Sequence, residues 1–302
     1  MNIRKVSVIT LTYNNYNLLP IAIESVKNQF GLETVEVEHI ILDDGTVNFD
    51  LNHVERYFYN YPFKYRILQN ITNIGTVKSL NRAIIESRGD VIILLPADDE
   101  FYDSFVVHDI IKEFNSSGAK IITAVRVPII DGKENTPLPL EPDRDIFLDR
   151  YKLIHRLAFK GNFISGASTY YKRDLFNEIG LFDESYRLLE DYPFLLKALS
   201  MNIDINFLNR KTIKYGTNGI SNGVKLNHTL MEDNKKAVYM ALKLGVLNFW
   251  EKRVVVYTRI YDKREKMYII NVLKFPDQFL RLLILYFCKL IKIKGVETKN
   301  DS

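Results

Sequence analysis

Short apolar runs that end in small polar clusters limit the fold of this sequence more than any other feature. Residues 6–11 form a continuous β-branched run, which is typical of a strand buried on both faces. Residues 18–29 follow with apolar side chains at helical spacing. Such alternation predicts an α/β fold with a mostly parallel central sheet. Further strands are predicted over 36–42, 65–69 and 91–95, and a further helix over 77–86.

Three of the predicted strands are followed by a polar cluster. Open α/β sheets bind ligands beyond the carboxyl ends of their strands, so these clusters are expected to meet at one crevice. Paired carboxylates such as Asp98 and Asp99 suit a hard cation beside a phosphate-bearing substrate. Taken singly, an acidic pair after a strand is more often a turn or a helix cap. The clusters are Thr12-Tyr13-Asn14, Asp43-Asp44-Gly45 and Ala97-Asp98-Asp99.

A second half of the chain starts after the proline-rich segment 137–142. Glu190 and Asp191 precede an apolar helical stretch over 192–199, where an acidic residue is also a natural N-cap. From about residue 227 onward the pattern is helical. The other elements predicted in this half are a helix over 147–159, a strand over 168–172 and a short helix over 174–179.

Composition excludes several classes of function. The chain has 302 residues, a formal net charge of +4 and one cysteine, Cys288. This charge is too small to indicate nucleic-acid binding, and one cysteine allows neither an intrachain disulfide nor a cysteine-based zinc site. The N-terminus lacks the pattern of a signal peptide, and no apolar stretch reaches the roughly 18 to 20 residues of a membrane-spanning helix. We therefore predict a cytoplasmic protein.

A basic amphipathic helix is predicted over 276–294. On a helical wheel Lys289 and Lys292 lie about 80° and about 20° from Arg281, which leaves a wide apolar face. Such a helix suits the surface of a membrane and would hold the protein at the inner face of the cell membrane. A helix packed on the body of the protein is the alternative.

The order of the motifs resembles that of the family 2 glycosyltransferases. The resemblance implies the GT-A fold, a Rossmann-like nucleotide-binding domain, with the nucleotide-sugar donor bound by residues 1–100 and the acceptor by residues 101–225. A helical extension over 226–302 would follow this domain. The matching segments are residues 6–14, 41–46, 73–81, 96–99, 179–184 and 190–192, within a region of roughly residues 3–222.

The activity that this resemblance implies is the metal-dependent, inverting transfer of one sugar. The donor would be a nucleotide-sugar, a UDP-sugar in our prediction, and the acceptor a hydroxyl of a glycan or lipid-linked glycan in bacterial surface polysaccharide synthesis. Asp191 matches the catalytic base and Asp99 the acid that coordinates Mn²⁺ or Mg²⁺. Of the remaining positions, Leu11 (through its backbone), Tyr13 and Asp44 match residues that bind the nucleotide base, and Asp98 matches one near the ribose.

The chain departs from the family pattern at three positions. Pro96 stands where an acid is frequent, so Asp99 is expected to be the main protein ligand of the metal. Leu80 stands where a basic residue is common, which leaves Lys78 as the nearest cation for the donor's negative charge. Asn218 stands where a histidine often contacts metal or phosphate.

Two other functions remain open from the sequence. A nucleotidyltransferase also combines a metal with a nucleotide on an α/β sheet, but it usually carries a glycine-rich phosphate loop, and residues 11–20 contain no glycine. A non-catalytic protein that binds nucleotide-sugars is the second alternative, and the presence of Asp191 argues mildly against it. The motif Gln-x-x-Arg-Trp of processive members is absent from the sequence, so we expect one sugar to be added per acceptor.

Overall fold

The computed structural model describes residues 2–216, 227–286 and 288. In this part of the chain a nine-stranded sheet forms the centre, with the strand order β3-β2-β1-β4-β8-β6-β9-β5 and with β7 paired to β6. The strands are β1 Lys5–Thr12, β2 Glu36–Asp43, β3 Lys64–Gln69, β4 Val91–Leu94, β5 Glu100–Phe101, β6 Ile121–Ile130, β7 Lys133–Glu134, β8 Thr169–Lys172 and β9 Ile205–Gly216.

Helices cover both faces of the sheet and form the end of the described chain. A π-helical turn, Val256–Ile260, follows the ninth α-helix, and residues 276–286 are helical. The helices are α1 Leu19–Lys27, α2 Leu51–Glu55, α3 Thr76–Glu86, α4 Val106–Ser117, α5 Arg150–Lys160, α6 Arg173–Ile179, α7 Asp191–Ser200, α8 His228–Lys243, α9 Phe249–Val255 and α10 Ile269–Lys274.

The α/β fold predicted from the sequence is confirmed, and its sheet is mixed. Strand β1 pairs in parallel with β2 and β4, and β2 pairs in parallel with β3. Strand β8 then lies antiparallel between β4 and β6, and β9 runs parallel to β6. The first 100 residues therefore supply the parallel pairs that the alternating pattern predicted, and the second half introduces the antiparallel ones.

Strand direction determines which residues meet at the edge of the sheet. Because β8 is antiparallel to both β4 and β6, strands β1, β2, β4, β6 and β9 all point the same way. Their carboxyl ends lie at one edge, which we call the carboxyl edge. The amino end of β8 lies at the same edge, so the residues that precede Thr169 are brought there too.

Alternate residues of the central strands enter different hydrophobic clusters, as expected from the period of two in a strand. In β4, Val91 and Ile93 pack with residues of α1 and α4, whereas Ile92 and Leu94 pack with α3, α5 and α7. All four side chains are buried. This burial on both faces explains the continuous apolar run in the sequence.

Six of the strands and α-helices were not predicted from the sequence, namely the short elements α2, β5 and β7 and the longer α4, β6 and β9. The helix predicted over 147–159 begins later, at Arg150, because the Asp149 side chain accepts the backbone N–H of Lys152 at 3.1 Å and caps the helix. Residues Glu141–Leu148 before it form a 3₁₀ helix.

The helical extension predicted from residue 226 is present in the described residues and packs into the body of the protein. Ala237, Val238 and Ala241 of α8 are buried in the same cluster as Leu157 of α5 and Leu195 of α7. The predicted boundary near residue 225 therefore divides the α/β elements from the helical extension, but both contribute to one hydrophobic core. Among the described residues no helix combines the length and the apolar character needed to cross a membrane.

Candidate active site

Main-chain bonds join the ends of the first three parallel strands at the carboxyl edge. The N–H of Asp44 donates to the carbonyl of Thr12 at 2.9 Å, and that of Leu95 donates to the carbonyl of Ile9 at 2.8 Å. The three polar clusters predicted to share a crevice thus follow three adjacent strands.

Asp44 is held by four protein donors. Its Oδ1 accepts hydrogen bonds from Asn70 Nδ2 at 2.8 Å, Ser79 Oγ at 2.8 Å and the N–H of Ile74 at 2.9 Å. Its Oδ2 accepts the N–H of Gly75 at 3.0 Å. The side chain is buried, so this carboxylate ties the end of β2 to the start of α3 and has little accepting capacity left for a ligand.

Gly45 allows this turn to form. Its φ is +78°, and a Cβ atom at this position would lie 2.3 Å from the carbonyl carbon of Thr72. Any other residue would face both backbone strain and a clash with main-chain atoms. The Asp43-Asp44-Gly45 motif is therefore a structural turn as well as a candidate binding site.

Asp43 differs from its neighbour because one of its oxygens is without a partner. Its Oδ2 accepts the N–H of Thr46, three residues later, at 2.8 Å. Its Oδ1 is buried and accepts no hydrogen bond from the described residues. A buried acceptor of this kind is costly unless a ligand donates to it.

Asp99, like Asp43, has a hydrogen-bond donor among the described residues at only one of its two carboxylate oxygens. Its Oδ1 accepts the N–H of Gly216, at the end of β9, at 2.8 Å, while the buried Oδ2 accepts no hydrogen bond from the described residues. Burial, and next the negative charge of Asp98, raise the pKa of Asp99 well above its usual range. Burial also raises the pKa of the half-buried Asp98. Neither carboxylate forms an ion pair with a Lys, Arg or His side chain of the described residues.

Their chemistry fits a hard divalent cation, although the protein supplies few ligands. Carboxylate oxygens are what Mg²⁺ and Mn²⁺ prefer, and the unpartnered Asp99 Oδ2 can accept one. In the described part of the chain no three His, Cys, Asp or Glu side chains come together to hold a metal. Substrate phosphates and water could supply further ligands. Asn218 lies outside the described residues.

Glu190 and Asp191 do not cap the helix that they begin. Glu190 occupies the N-cap position of α7, but its side chain accepts no N–H of that helix. Asp191 Oδ1 accepts the N–H of Tyr192 at 2.5 Å, and Oδ2 accepts Asn162 Nδ2 at 3.0 Å. Burial raises the pKa of both acids, and the charge of Asp191 adds to the rise at Glu190. A raised pKa suits a general base.

Arg126 connects the two groups of acids. It lies on β6, and although burial raises the pKa of both Asp99 and Asp191, the positive charge of Arg126 offsets a part of each rise. Its guanidinium carbon lies 5.1 Å from the centre of the Tyr215 ring. No carboxylate of the described residues is within ion-pair distance of it. A cation that forms no ion pair with the described residues therefore acts on both acidic groups.

The remaining predicted site residues lie at or near the same edge. Leu11 is half-buried near the end of β1, and the side chain of Tyr13, just after that strand, is 43% exposed. Lys78 is exposed in the first turn of α3, beside the Gly75 segment that Asp44 holds. The structure thus places all of the predicted residues around one edge.

The parts of the site that were not predicted from the sequence are Arg126, Asn162 and the buried Oδ1 of Asp43. Arg126 carried a readable signal, because it is the one charged residue in the apolar run that forms β6. Asn162 carried none, since its bond to Asp191 joins positions 29 residues apart through the tertiary fold.

A separate cavity of about 570 Å³ opens at the opposite, amino edge of the sheet. Its charged lining is largely paired, with Lys5 and Lys64 both bonded to Glu36. Strand direction places it at the far end of the sheet from Asp43 and Asp99, so we do not include it in the site.

Relatives and structural neighbours agree with this architecture. The minor teichoic acid biosynthesis protein GgaA of Bacillus subtilis is 28% identical over 199 residues, which are 64% of this chain and 43% of that protein. Uncharacterized glycosyltransferases from four Rickettsia species also match, and the aligned segments span 31% to 59% of their lengths.

Two solved structures share the fold. S. aureus TarS 1-349 in complex with UDP-GlcNAc has a TM-score of 0.61 at 18% identity, covering 92% of this chain and 79% of that one. The mannosyltransferase PcManGT from Pyrobaculum calidifontis, in complex with GDP-Man and Mn²⁺, has a TM-score of 0.58 at 14% identity, covering 91% and 73%. The GT-A fold predicted from the sequence is thereby confirmed.

The family model gives the assignment directly. The model described as glycosyl transferase family 2 matches residues 7–180, which include β1, β2, β4 and both acidic pairs at the ends of β2 and β4. This chain belongs to glycosyltransferase family 2.

Proposed function

We propose that this chain is a metal-dependent, inverting hexosyltransferase that moves one sugar from a UDP-sugar to an acceptor hydroxyl of a bacterial surface glycan. The observation that carries the proposal is the position of Arg126, whose charge acts on both Asp99 and Asp191. A cation site for the donor and a base for the acceptor would then share one centre. GgaA, named for teichoic acid biosynthesis, supports a surface-glycan acceptor.

Asp191 is the proposed base. As the acceptor oxygen attacks the anomeric carbon, the hydroxyl proton passes to the Asp191 carboxylate and the bond from that carbon to the diphosphate oxygen breaks. The nucleoside diphosphate leaves with the electron pair of that bond. Attack from the face opposite the leaving group inverts the anomeric configuration. One base is sufficient for this single displacement.

Asp99 is the proposed protein contribution to a Mn²⁺ or Mg²⁺ site, and Asp98 beside it is the proposed contact near the donor's ribose. A bound cation would neutralise charge on the departing diphosphate. Arg126 and Lys78 would add positive charge on the protein's side, because neither forms an ion pair with the described residues. The Mn²⁺ in the PcManGT complex supports this part of the proposal.

The donor's base is proposed to meet Tyr13, the backbone of Leu11 and an acid of the Asp43-Asp44 pair. The resemblance implied Asp44, but the four hydrogen bonds of that residue favour a role in shaping the loop. Asp43 Oδ1 is the available acceptor for a base N–H. We therefore propose that Asp43 makes the base contact and that Asp44 supports it. The UDP complex of TarS supports uracil as the base.

The helical C-terminus is proposed to rest on an anionic membrane surface. Ile269, Ile270 and Leu273 of α10 are each at least 73% exposed, and Leu285 and Tyr286 further along are also exposed. Residues 249–286 contain eight basic and four acidic residues, a net charge equal to that of the whole chain. An exposed apolar face with a basic surround suits lipid headgroups. Residues 287 and 289–294 of the helix predicted over 276–294 lie outside the described residues.

The two acids of the Asp43-Asp44 pair should respond differently to the same change. Asp43→Asn should weaken UDP binding by roughly 10-fold or more, because the acceptor for the base N–H is lost, and leave the melting temperature near that of the wild type. Asp44→Asn should instead destabilise the fold by about 2 kcal/mol or more, since the NH₂ group that replaces one carboxylate oxygen can no longer accept a hydrogen bond from the buried N–H of Gly75. Calorimetry with UDP and thermal unfolding measure both. An Asp44→Asn protein of normal stability that fails to bind UDP would return the base contact to Asp44.

Asp191→Asn should reduce turnover by roughly 10² to 10⁴, because the amide cannot take the acceptor's proton. Folding and donor affinity should be nearly unchanged, since Asn has almost the same size. Turnover is measured at saturating donor and acceptor, together with the melting temperature.

Asp174→Asn is the matched control, as it makes the same change at the exposed start of α6. It should retain wild-type turnover. If Asp191→Asn also retains it, Asp191 is not the base.

Replacing Ile269, Ile270 and Leu273 together by Ser should release the protein from phosphatidylglycerol vesicles, because the apolar face is lost while the charges remain. Deletion from Pro276 should also weaken binding and leave transfer to a soluble acceptor largely intact. Sedimentation at low and high salt measures both effects.

Neutral phosphatidylcholine vesicles provide the control and should bind less protein at low salt. A wild-type protein that stays in the supernatant with anionic vesicles at low salt would contradict the membrane proposal. So would a stable dimer, detected by analytical ultracentrifugation, that the triple substitution dissociates.

A further inference from the structure

The orientation of the Asp191 carboxylate depends on a small number of donors. Its Oδ1 is bonded to the N–H of Tyr192, the next residue, at 2.5 Å. Its Oδ2 accepts Asn162 Nδ2 at 3.0 Å, and the backbone of Gly166 also stabilises the charged form. Asn162 is therefore the one side chain in the described residues that donates to this carboxylate.

The Asn162 amide is itself fixed in one orientation. Its Oδ1 accepts the N–H of Ile164 at 3.0 Å, so its NH₂ group has to point toward Asp191. Asn162 lies in the turn after α5, and this turn leads to the amino end of β8 at the carboxyl edge. The turn thus presents a donor to the carboxylate from a fixed backbone position.

Gly166 lies close to the two acids and leaves space for them. A Cβ atom on it would lie 2.9 Å from Glu190 Oε1 and 3.6 Å from Asp191 Oδ2. The turn from Asn162 to Gly166 therefore contacts the acidic pair at both of its ends.

An arginine from the helical extension secures this turn. Arg259, in the π-helical turn after α9, donates from Nη1 to the carbonyl of Ala158 at 2.8 Å, near the end of α5. Its Nη2 donates to the hydroxyl of Tyr192, the residue after Asp191, at 3.1 Å. A Cβ atom on Gly161 would lie 3.0 Å from the same Nη2. Short π-helical segments frequently mark functional positions.

We infer that Asn162 is a positioning residue that orients the Asp191 carboxylate, and that Arg259 of the helical extension secures the turn that carries it. This inference rests on the proposed function of Asp191 as base. It assigns the extension a part in catalysis, because Arg259 of its π-helical turn bonds both to Ala158, near the end of α5, and to Tyr192, the residue after the base.

Removing the Asn162 N–H has a defined effect on acid–base behaviour. The donor favours the charged carboxylate, so its loss raises the pKa of Asp191. Because the base must be ionised, the pH at which kcat rises should then move upward. The other charged or titratable groups that act with Asp191 are Glu190 beside it, Arg126 on β6 and the buried Tyr171 on β8. None of these is altered by the change.

Asn162→Ala and Asn162→Asp together distinguish a role in orienting the Asp191 carboxylate from a purely structural role in the turn. Asp is isosteric and keeps an acceptor for the Ile164 N–H, but it faces Asp191 with a carboxylate instead of a donor. If Asn162 orients the carboxylate, Asn162→Ala should lower kcat by roughly 10-fold, and Asn162→Asp should lower it at least as much. The pH profile of kcat should move upward in both variants, and further in Asn162→Asp. Arg259→Met should shift the profile in the same direction by a smaller amount. Profiles are measured at saturating donor, acceptor and Mn²⁺, with melting temperature and UDP affinity as checks on folding.

The failure of this inference differs from the failure of the proposed function. If Asp191→Asn turns over like the wild type, the proposed base is wrong. If Asp191→Asn is impaired but Asn162→Asp keeps the wild-type rate and pH profile, the base stands and Asn162 has only a structural role. In an Asp191→Asn background, Asn162→Ala should change the residual rate by less than about twofold, because both act through one carboxylate. A further loss of roughly 10-fold there would also overturn the inference.

Discussion

The parallel pairing of β1 with β2 on one side and β4 on the other is the constraint on which the site depends. The register sets Thr12 opposite Asp43 and brings the end of β4 alongside the same strand. A shift of one residue would turn the buried residues of these strands to the wrong face, so the core fixes the register. With the register fixed, three polar clusters that are distant in the sequence become neighbours at the carboxyl edge.

Burying carboxylates at this edge costs free energy, and a bound ligand that interacts with them can offset that cost. Asp43 and Asp99 each keep one buried oxygen that has no donor among the described residues, and the pKa of Asp99 is raised by burial. A fold selected only for stability would pair or replace such groups. Asp44 shows the contrast, because its four donors make it part of the scaffold. The difference between these acids separates support of the loop from proposed contact with the donor.

The sequence predicted the first half of the fold well, because its strands are continuous apolar runs and its helices have clear spacing. It could not distinguish Asp43 from Asp44, since the answer depends on where the Asn70 and Ser79 side chains end up. Nor could it show that Arg259 reaches the turn of Asn162, because the two positions meet only through the packing of α5 and α7 with the extension. Local patterns gave the elements and the motifs, whereas tertiary contacts decided the roles of single side chains.

The claim at the centre of this account is that a cation at Asp99 joins the protein to the donor's diphosphate. Titration calorimetry of UDP, with and without Mn²⁺, on the wild type and on Asp99→Asn tests it most directly. Asn keeps the shape of the side chain and its Oδ1 contact with Gly216, but an NH₂ group replaces Oδ2, so the variant removes both the charge and the oxygen proposed to bind the cation. We expect Mn²⁺ to strengthen UDP binding to the wild type by roughly 10-fold or more and to leave binding to Asp99→Asn unchanged. An equal gain from Mn²⁺ in both proteins would contradict the account.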